Sequence, residues 1–238
     1  MSPKKIIAFT FARAGSKGII NKNIKPLCGR PLIEYAIESG RTHPLINDVY
    51  VSTDGNEIAA IAAQAGAKVI NRPEHLAADT ASEWHAWQHA VEQLVQNDEM
   101  GLDDIFISLP ATAPLRDAQD VTNALTQFSV SDADLALGIT AADRSPYFNM
   151  VVQNDAGLIE LVINEHNYVR RQDVPVVWDV TTVFYVSTAR FILENTGVLS
   201  GKTLGIVVPK ERAIDIDTQY DFDIAEFLMN KKVKNENP

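Results

Sequence analysis

The sequence has few of the features that mark secreted, membrane-bound or disulfide-stabilised proteins. Cys28 is the only cysteine among 238 residues, so no disulfide bond can form within one chain. The apolar stretch Ile6–Ala12 is much shorter than the roughly 20 residues that a membrane-spanning helix requires. This stretch also runs directly into Arg13, without the small-residue cleavage site of a signal peptide. We therefore expect a cytoplasmic protein that does not insert into a membrane.

Acidic residues are absent from the first 33 positions, although the chain as a whole is acidic. Residues 1–33 contain seven Lys or Arg and no Asp or Glu, whereas the whole chain carries a formal net charge of -10. Five of these cations lie in Arg13–Pro31, which we call the cationic segment. A general nucleic-acid-binding protein usually has a basic surface beyond one segment. The charge distribution therefore argues against a nucleic-acid partner and indicates a local site for a small polyanion.

Strand-like and helix-like segments alternate along the chain, which is typical of a mainly parallel sheet covered by helices. The length suits one α/β domain spanning residues 1–238. Within it, residues 141–181 lack a clear helix and contain the hairpin signal Asn154-Asp-Ala-Gly157, so we interpret this range as an inserted extension. The predicted strands are Lys5–Phe11, Asp48–Thr53, Ala67–Ile70, Ile105–Leu109, Leu135–Thr140, Phe148–Gln153, Leu158–Ile163, Thr182–Ser187 and Leu204–Pro209. The predicted helices begin at Pro31, Asn56, the capping-box sequence Thr80–Glu83, Asp117, Thr188 and Thr218.

The cationic segment has the composition of a phosphate-binding loop. Gly15 and Gly18 allow a ligand to approach the backbone closely. Arg13, Lys17 and Lys22 can neutralise a polyphosphate. The residue order matches neither G-x-x-x-x-G-K-[ST] nor G-x-G-x-x-G, so neither motif supports the interpretation. Composition alone leaves open a phosphate site and a merely solvated basic loop.

Asp215 and Asp217 form a second candidate binding feature. In an extended segment, residues i and i+2 face the same side, so both carboxylates point one way and Ile216 points the other. Mg²⁺ commonly takes one or two protein carboxylates and completes its coordination with water and substrate phosphates. The spacing fits a Mg²⁺ site, and it fits equally a solvated pair that leads into the helix cap formed by Thr218 and Asp221.

Several short motifs follow one another along nearly the whole chain. Residues 12–24 read A-R-A-G-S-K-G-I-I-N-K-N-I. Further motifs are Ser52-Thr53-Asp54, Arg72-Pro73-Glu74, Asp79-Thr80, Ala113-Pro114-Leu115-Arg116, Arg170-Arg171-Gln172-Asp173 and Ile214–Thr218. In this order they resemble the motifs of the CMP-sialic acid synthetases, the acylneuraminate cytidylyltransferases, whose first motif is usually A-R-x-G-S-K-G-x-x-x-K-N-I. Sugar-1-phosphate nucleotidyltransferases share a later K-P-L-x-G-x-P but carry an earlier G-x-G-T-R, which this chain lacks.

The resemblance implies a three-layer α/β/α, Rossmann-like fold of the nucleotide-diphospho-sugar transferase type. It implies a nucleotidyltransferase that converts CTP and a free 2-keto-3-deoxy sugar acid to CMP-sugar and pyrophosphate. Arg13, Lys22 and Asp217 would then be the catalytic residues. The nucleotide-binding residues would be Arg13, Gly15, Ser16, Lys17, Lys22, Asn23, Arg72, Asp79, Thr80, Ala81 and Ser82. Without the resemblance, Arg72 would be interpreted as a surface arginine. Thr80 could equally be a helix cap or a nucleotide-binding residue.

The same resemblance implies a metal, a sugar site and a second subunit. Asp215 and Asp217 would hold Mg²⁺. Arg171, Gln172 and Tyr185 would bind the sugar, although an aromatic residue on a strand such as Tyr185 is more typical of a core. The 141–181 extension packs on a second copy in such enzymes, so we expect a homodimer.

Two departures from the family pattern concern the sugar. Pro110 stands where similar enzymes often have a glutamine, and Asp179 stands where they often have an arginine. We therefore expect an acceptor related to sialic acid, such as legionaminic or pseudaminic acid, with N-acetylneuraminate still open. Alternatives are a cytidylyltransferase for 3-deoxy-octulosonate or another sugar and, in a different class, a catalytically silent nucleotide-binding regulatory module.

Overall fold

The computed structural model describes residues 4–164 and 168–236, which form a central sheet with helices on both faces. The strands are β1 (Ile6–Phe11), β2 (Pro26–Leu27), β3 (Arg30–Pro31), β4 (Asp48–Thr53), β5 (Lys68–Asn71), β6 (Ile105–Ser108), β7 (Leu135–Ala141), β8 (Val151–Gln153), β9 (Ile159–Leu161), β10 (Trp178–Thr188) and β11 (Thr203–Val207). The helices are α1 (Leu32–Arg41), α2 (Asn56–Gln64), α3 (Glu83–Gln96), α4 (Ala118–Ser129), α5 (Ala189–Glu194) and α6 (Gln219–Glu236). None of the helices within the described ranges is long and apolar enough to cross a bilayer.

The central sheet has seven strands in the order β11-β7-β10-β6-β1-β4-β5. β10 runs antiparallel to both of its neighbours, and the other adjacent pairs are parallel. The parallel strands consequently end at one edge of the sheet, where ligands of open α/β sheets usually bind. The predicted mainly parallel three-layer fold is confirmed.

Apolar side chains on the two faces of the sheet explain the three layers. Ile33 of α1 and Val121 of α4 belong to a buried cluster on one face. Trp87 of α3 and Ile192 of α5 belong to a buried cluster on the opposite face. Each helix thus covers the sheet with one apolar stripe, as the alternation of strands and helices predicts.

A third, smaller cluster joins the cationic segment to the end of the chain. Ile19 and Leu27 of the segment pack with Ile216, and with Phe222 and Ala225 of α6. Residues about 200 positions apart in sequence are therefore held against each other by apolar contact. This packing brings the two charged features of the sequence to the same edge of the sheet.

The short strands β2 and β3 were not predicted, and the largest differences in the predicted elements concern α3, β10 and the hairpin of the extension. The helix predicted from Thr80 begins at Glu83, because the Ser82 hydroxyl caps it by accepting a hydrogen bond from Trp84 N. β10 begins at Trp178 and not at Thr182, so its first residues, assigned by the sequence to the extension, pair with β7 in the central sheet.

The predicted hairpin exists as β8 and β9, which pair with each other in a separate two-stranded sheet and are shorter than expected. Residues 165–167 of the extension lie outside the described ranges.

Candidate active site

A cleft with a cavity volume of about 450 Å³ lies at the carboxyl ends of β1, β5 and β6. It is bounded by the cationic segment, the loop after β5, the loop after β6, one side of β10 and the segment before α6. Its lining residues are Phe11, Arg13, Ser16, Lys17, Gly18, Lys22, Asn23, Arg72, Leu76, Ala78, Asp79, Ala81, Glu83, Pro110, Ala111, Thr112, Thr182, Tyr185, Asp215 and Asp217.

Local hydrogen bonds fix the start of the cationic segment. The backbone N–H of Ala14 donates to Asp54 Oδ1 (2.8 Å), and the buried Asn23 side chain donates through Nδ2 to the Arg13 carbonyl (3.1 Å). Gly15 has a φ of 75°, a left-handed conformation that glycine adopts without strain. The segment therefore turns tightly after β1, and its Arg13, Lys17 and Lys22 line the cleft.

The cationic segment directly contacts the segment that carries the two aspartates. Lys22 Nζ donates to the Ile216 carbonyl (2.6 Å) and to Asp217 Oδ1 (2.9 Å). At Gly18, an added Cβ would lie only 2.2 Å from the backbone oxygen of Asp217, so only glycine fits at this distance. Cation and carboxylate are thus placed side by side by both packing and hydrogen bonding.

Asp79 pairs with two other cations of the segment across the cleft. Its Oδ1 lies 2.5 Å from Arg13 Nη1, and its Oδ2 lies 2.6 Å from Lys17 Nζ. Hydrogen bonds from Lys17 and Arg13 lower the pKa of the Asp79 carboxyl below its ordinary value. The Arg13 guanidinium also donates to the Ala77 carbonyl (3.4 Å). These contacts hold residues 77–79 against the cationic segment.

The two aspartates have different surroundings. Asp215 is partly buried, and burial raises the pKa of its carboxyl, with a further increase from the charge of Asp217. The hydroxyls of Thr112 and Thr182 oppose this shift. Asp215 Oδ1 is buried and accepts no hydrogen bond of normal geometry from the described residues, whereas the Asp217 side chain is 71% exposed.

This pair of carboxylates fits a hard divalent cation. An unpaired buried carboxylate oxygen beside a second, accessible carboxylate supplies the oxygen ligands that Mg²⁺ prefers. No cluster of three or more His, Cys, Asp or Glu with metal-binding geometry occurs within residues 4–164 and 168–236. A cation here would therefore depend on substrate oxygens for the remainder of its coordination.

Arg72 is a buried arginine and not a surface one. Its Nη2 donates to the Ser52 carbonyl (2.7 Å), its Nε donates to Ser52 Oγ (3.2 Å), and its guanidinium lies over the Phe11 ring. Burial lowers its pKa, while the charges of Asp54 and Glu83 oppose the shift. Arg72 is thus rigidly held with one edge in the cleft.

Glu83 and Tyr185 form another part of the cleft wall. One Glu83 oxygen accepts a hydrogen bond from Trp87 Nε1 (3.3 Å), and the surrounding protein raises the pKa of Glu83 by desolvation. Tyr185 packs against Trp87, and burial raises its pKa to about 12. The phenol therefore stays protonated at neutral pH and can donate a hydrogen bond.

Most of the predicted site residues lie in this cleft, and five do not. Gly15 lines an adjoining smaller cavity, and Thr80 and Ser82 are exposed beside the cleft. Arg171 and Gln172 lie in the extension and are exposed, with Arg171 Nη2 donating to the Asp143 carbonyl (2.9 Å).

The two departures from the family pattern also separate in space. Pro110 lines the cleft, whereas Asp179 is an exposed residue of β10 that does not. The position of Asp179 therefore does not support an effect of this residue on the sugar pocket of its own chain.

Sequence reasoning gave no role to several cleft residues, among them Phe11, Glu83, Thr112 and Thr182. Glu83 is the first residue of α3, a position where an acidic residue usually signals no more than a helix start. Thr112 lies in the loop after β6 and Thr182 lies in β10, and only the packed fold brings them into one cleft with Asp215. Phe11 could have been identified as the last residue of the strand that precedes the cationic segment.

Comparison with known proteins supplies independent information. A family model described as Cytidylyltransferase matches residues 7–230. The chain is 33% identical to CMP-N,N'-diacetyllegionaminic acid synthase of Campylobacter jejuni and 32% identical to post-translational flagellin modification protein B of Campylobacter coli, with 96% of each chain covered in both cases. A solved CMP:2-keto-3-deoxy-manno-octonic acid synthetase complexed with CTP shares the fold, with a TM-score of 0.69, 18% identity, and coverage of 97% of this chain and 100% of that one.

Proposed function

This chain belongs to the cytidylyltransferase family, and we propose that it transfers CMP from CTP to a sialic-acid-like 2-keto-3-deoxy sugar acid of the legionaminic type. The observation that carries the proposal is the direct contact between the cationic segment and the Asp215–Asp217 segment through Gly18 and Lys22. A nucleotide triphosphate and a divalent cation need this combination of charges. The similarity over 96% of a legionaminic acid synthase supports the sugar class.

The reaction is a direct displacement at the α-phosphorus. The anomeric hydroxyl oxygen of the sugar forms a bond to phosphorus, the bond to the β-phosphate oxygen breaks, and pyrophosphate leaves. Arg13, Lys17 and Lys22 line the same side of the cleft, where they stabilise the charge of the departing pyrophosphate. Since no covalent enzyme intermediate is needed, the protein contributes mainly positioning and charge stabilisation.

The nucleotide occupies the part of the cleft between the cationic segment and Arg72. Ser16 and the backbone at Gly15 bind phosphate oxygens, and Asn23 faces the ribose. The fixed guanidinium of Arg72 contacts the cytosine. Residues 79–82, namely Asp79, Thr80, Ala81 and Ser82, border the base and ribose.

Asp215 and Asp217 hold Mg²⁺ on the phosphates. When bound, the cation offsets the negative charge of the phosphates and polarises their P–O bonds. Lys22 forms an ion pair with Asp217 and thereby keeps this carboxylate where the cationic segment meets the Asp215–Asp217 segment. The Asp217 side chain is 71% exposed, and its Oδ2, unlike the Oδ1 that binds Lys22, has no hydrogen-bond partner among the described residues, so Oδ2 can accept the proton of the anomeric hydroxyl.

The sugar site combines Tyr185 with groups of the extension. Tyr185 lies in the cleft, but Arg171 and Gln172 do not reach the cleft of their own chain. A second copy of the chain would supply both residues if the extensions pack on each other. The extension has an apolar surface suited to such packing, with Val151 50%, Leu158 68%, Ile159 66% and Val176 79% exposed.

Pyrophosphate release tests the proposal. The purified protein is supplied with Mg²⁺, each nucleoside triphosphate in turn, and a panel of N,N'-diacetyllegionaminic, pseudaminic, N-acetylneuraminic and 3-deoxy-octulosonic acids. We expect turnover with CTP and the highest kcat/KM for the legionaminic acid. Equal or better turnover of N-acetylneuraminate or 3-deoxy-octulosonate would refute the sugar assignment, and no pyrophosphate with any pair would indicate a silent nucleotide-binding module.

Two variants test the roles of the charged residues in the same assay. Asp217→Ala should abolish most turnover while the protein remains folded, because it removes the accessible carboxylate. Lys22→Ala should raise the KM for CTP or lower kcat, because it removes a cation from the phosphate side. Wild-type rates for Asp217→Ala at saturating Mg²⁺ would contradict the metal assignment.

A further inference from the structure

Arg116 is a buried cation whose hydrogen bonds run to two different walls of the cleft. Its Nε donates to the Val183 carbonyl of β10 (2.5 Å), and its Nη2 donates to the Pro110 carbonyl of the loop after β6 (2.8 Å). Only 8% of the residue is exposed. Arg116 itself does not line the cleft.

Burying the charge of Arg116 is energetically unfavourable, which is unusual for a residue with a purely structural role. Burial lowers the pKa of the Arg116 guanidinium to about 9, which shows how strongly its surroundings disfavour the charge. Asp120, the acid whose charge opposes this shift, is already engaged by Arg212, whose Nε and Nη2 each lie 2.8 Å from a carboxylate oxygen. A buried charge held by carbonyls adds little net stability compared with apolar packing. Its fixed, forked geometry is the property that an apolar residue could not supply.

The two carbonyls that Arg116 holds flank the environment of Asp215. Pro110 begins the Pro110–Thr112 segment, whose last carbonyl accepts a hydrogen bond from Ile216 N (2.9 Å). Val183 follows Thr182, which lines the cleft together with Asp215. One guanidinium therefore bridges the two backbone segments beside this carboxylate, beyond the point where the β6–β10 pairing ends at Ser108 and Tyr185.

We propose that Arg116 is a positioning residue that orients Asp215 for the divalent cation by fixing the Pro110–Thr112 segment against β10. The proposal rests on the proposed function, because it assigns Asp215 to the metal. In this role Arg116 acts through backbone carbonyls and never touches the nucleotide or the sugar. Its loss should weaken the metal-dependent part of CTP binding specifically.

The test compares Arg116→Lys and Arg116→Met with the wild type by isothermal titration calorimetry of CTP at a series of Mg²⁺ concentrations. A lysine ammonium cannot span both carbonyls in the planar fork of a guanidinium. We expect the Mg²⁺ concentration for half-maximal enhancement of CTP binding to rise by about tenfold, as for loss of one hydrogen bond from a charged donor. CTP binding without Mg²⁺ should change little.

A matched control separates positioning from general destabilisation. Phe128→Leu alters the apolar core at the other end of α4 and does not touch the cleft. If Phe128→Leu lowers the melting temperature to a similar extent but keeps the wild-type Mg²⁺ dependence, the effect of Arg116 is specific. If both Arg116 variants also keep that dependence, the proposal is overturned and Arg116 is a structural residue.

A double-mutant cycle tests whether Arg116 acts through Asp215. Asp215→Asn removes the carboxylate that Arg116 is proposed to orient. In the Asp215→Asn background, Arg116→Lys should cause no further loss of Mg²⁺-dependent CTP binding, whereas additive losses would overturn the proposal. Absence of any Mg²⁺ effect on the wild type would instead contradict the proposed function itself, so the two failures are distinguishable.

Discussion

At the scale of single residues, two of the cations that we propose bind the triphosphate already have a protein partner. Arg13 and Lys17 lie 2.5 Å and 2.6 Å from the two oxygens of Asp79. A phosphate that binds these two cations competes with the Asp79 carboxylate for their charge and their N–H donors. Asp79 therefore keeps the cations correctly placed and at the same time competes with the ligand.

We predict that Asp79→Asn binds CTP severalfold more tightly than the wild type. The amide keeps the size of the side chain but removes the negative charge that competes for Arg13 and Lys17. Calorimetric titration at low ionic strength would measure the change, since exposed charge interactions are screened by salt. Asp103→Asn is the matched control, because Asp103 pairs with Arg190 at the opposite end of the sheet. Weaker CTP binding would contradict the prediction and show that a favourable contact of Asp79 with the nucleotide outweighs this competition.

A second residue-scale prediction concerns His43, which is buried between α1 and α4. Its Nδ1 accepts from Leu45 N (3.4 Å), and its Nε2 lies 3.0 Å from Thr122 Oγ1, which itself donates to the Ala118 carbonyl. This network fits a neutral imidazole that carries its proton on Nε2. Burial accordingly lowers the pKa of His43 below the ordinary value of 6.5.

The sign of the pH effect follows from the proton balance. Between the lowered folded pKa and the unfolded value of 6.5, the unfolded chain binds a proton that the folded chain does not. The free energy of unfolding should therefore fall as the pH drops below 6.5, and it should keep its full value above that pH. Urea denaturation across this range should show a smaller pH dependence for His43→Gln. His85→Gln, at an exposed position on α3, should retain the wild-type dependence.

At the scale of elements, the contact between the cationic segment and the Asp215–Asp217 segment depends on one glycine. A Cβ at Gly18 would lie 2.2 Å from the Asp217 backbone oxygen, far inside contact distance. Backbone atoms cannot rotate away, so one of the two segments must move. A displacement of about 1 Å can cost on the order of a hundredfold in rate when it misaligns reacting groups.

We predict that Gly18→Ala lowers kcat by about a hundredfold while the free energy of unfolding falls by only about 1–3 kcal/mol. Steady-state kinetics and urea denaturation of the same samples would measure both quantities. Gly197→Ala serves as the control, since its nearest contact would be Ser200 Oγ at 3.8 Å. A near-normal kcat for Gly18→Ala would mean that turnover does not require the two segments to stay in contact.

Local sequence predicted the regular elements better than their irregular ends. β4 has the predicted bounds Asp48–Thr53, because a run of apolar and β-branched residues is flanked by polar ones. The start of β10 was missed because Trp178–Val180 are exposed on a strand that extends past its β6 neighbour. Exposed strand residues carry no buried-face pattern, so only the pairing with β7 defines them.

The residues of the candidate site could likewise be predicted from local sequence only in part. Motif order identified the cationic segment and the aspartates, which lie in one cleft. Arg116 was recognised only as part of a motif, because an arginine before a helix-capping aspartate is usually solvated. Its burial depends on Val183, 67 positions away, which no local pattern can reveal.

At the scale of the whole molecule, one chain exposes an unusually apolar surface on the extension. Leu158 and Ile159 of the β8–β9 hairpin are 68% and 66% exposed, and Val169 is 85% exposed. The same extension carries Arg171 outside the cleft of its own chain. Both observations are explained if the extensions of two copies pack together and each reaches the other cleft.

We predict that Ile159→Asp weakens self-association, because it places a charge in the apolar surface that the second copy would bury. Sedimentation velocity over a range of protein concentrations would show a shift from dimer to monomer. Val130→Asp is the control, because Val130 is 82% exposed at the end of α4, away from the extension. A wild type that is monomeric at all concentrations would contradict the prediction at once.

Mixing two inactive variants tests whether the second copy completes the sugar site. Arg171→Ala lacks the extension's cation but keeps Asp217, whereas Asp217→Ala keeps Arg171. If Arg171 acts on the partner's cleft, a mixed dimer contains one cleft with both residues, so turnover should appear on mixing and subunit exchange. If Arg171 serves its own chain, every cleft in the mixture lacks one residue and no turnover should appear. Adding Ile159→Asp to both variants should abolish the recovery, because the chains could no longer pair.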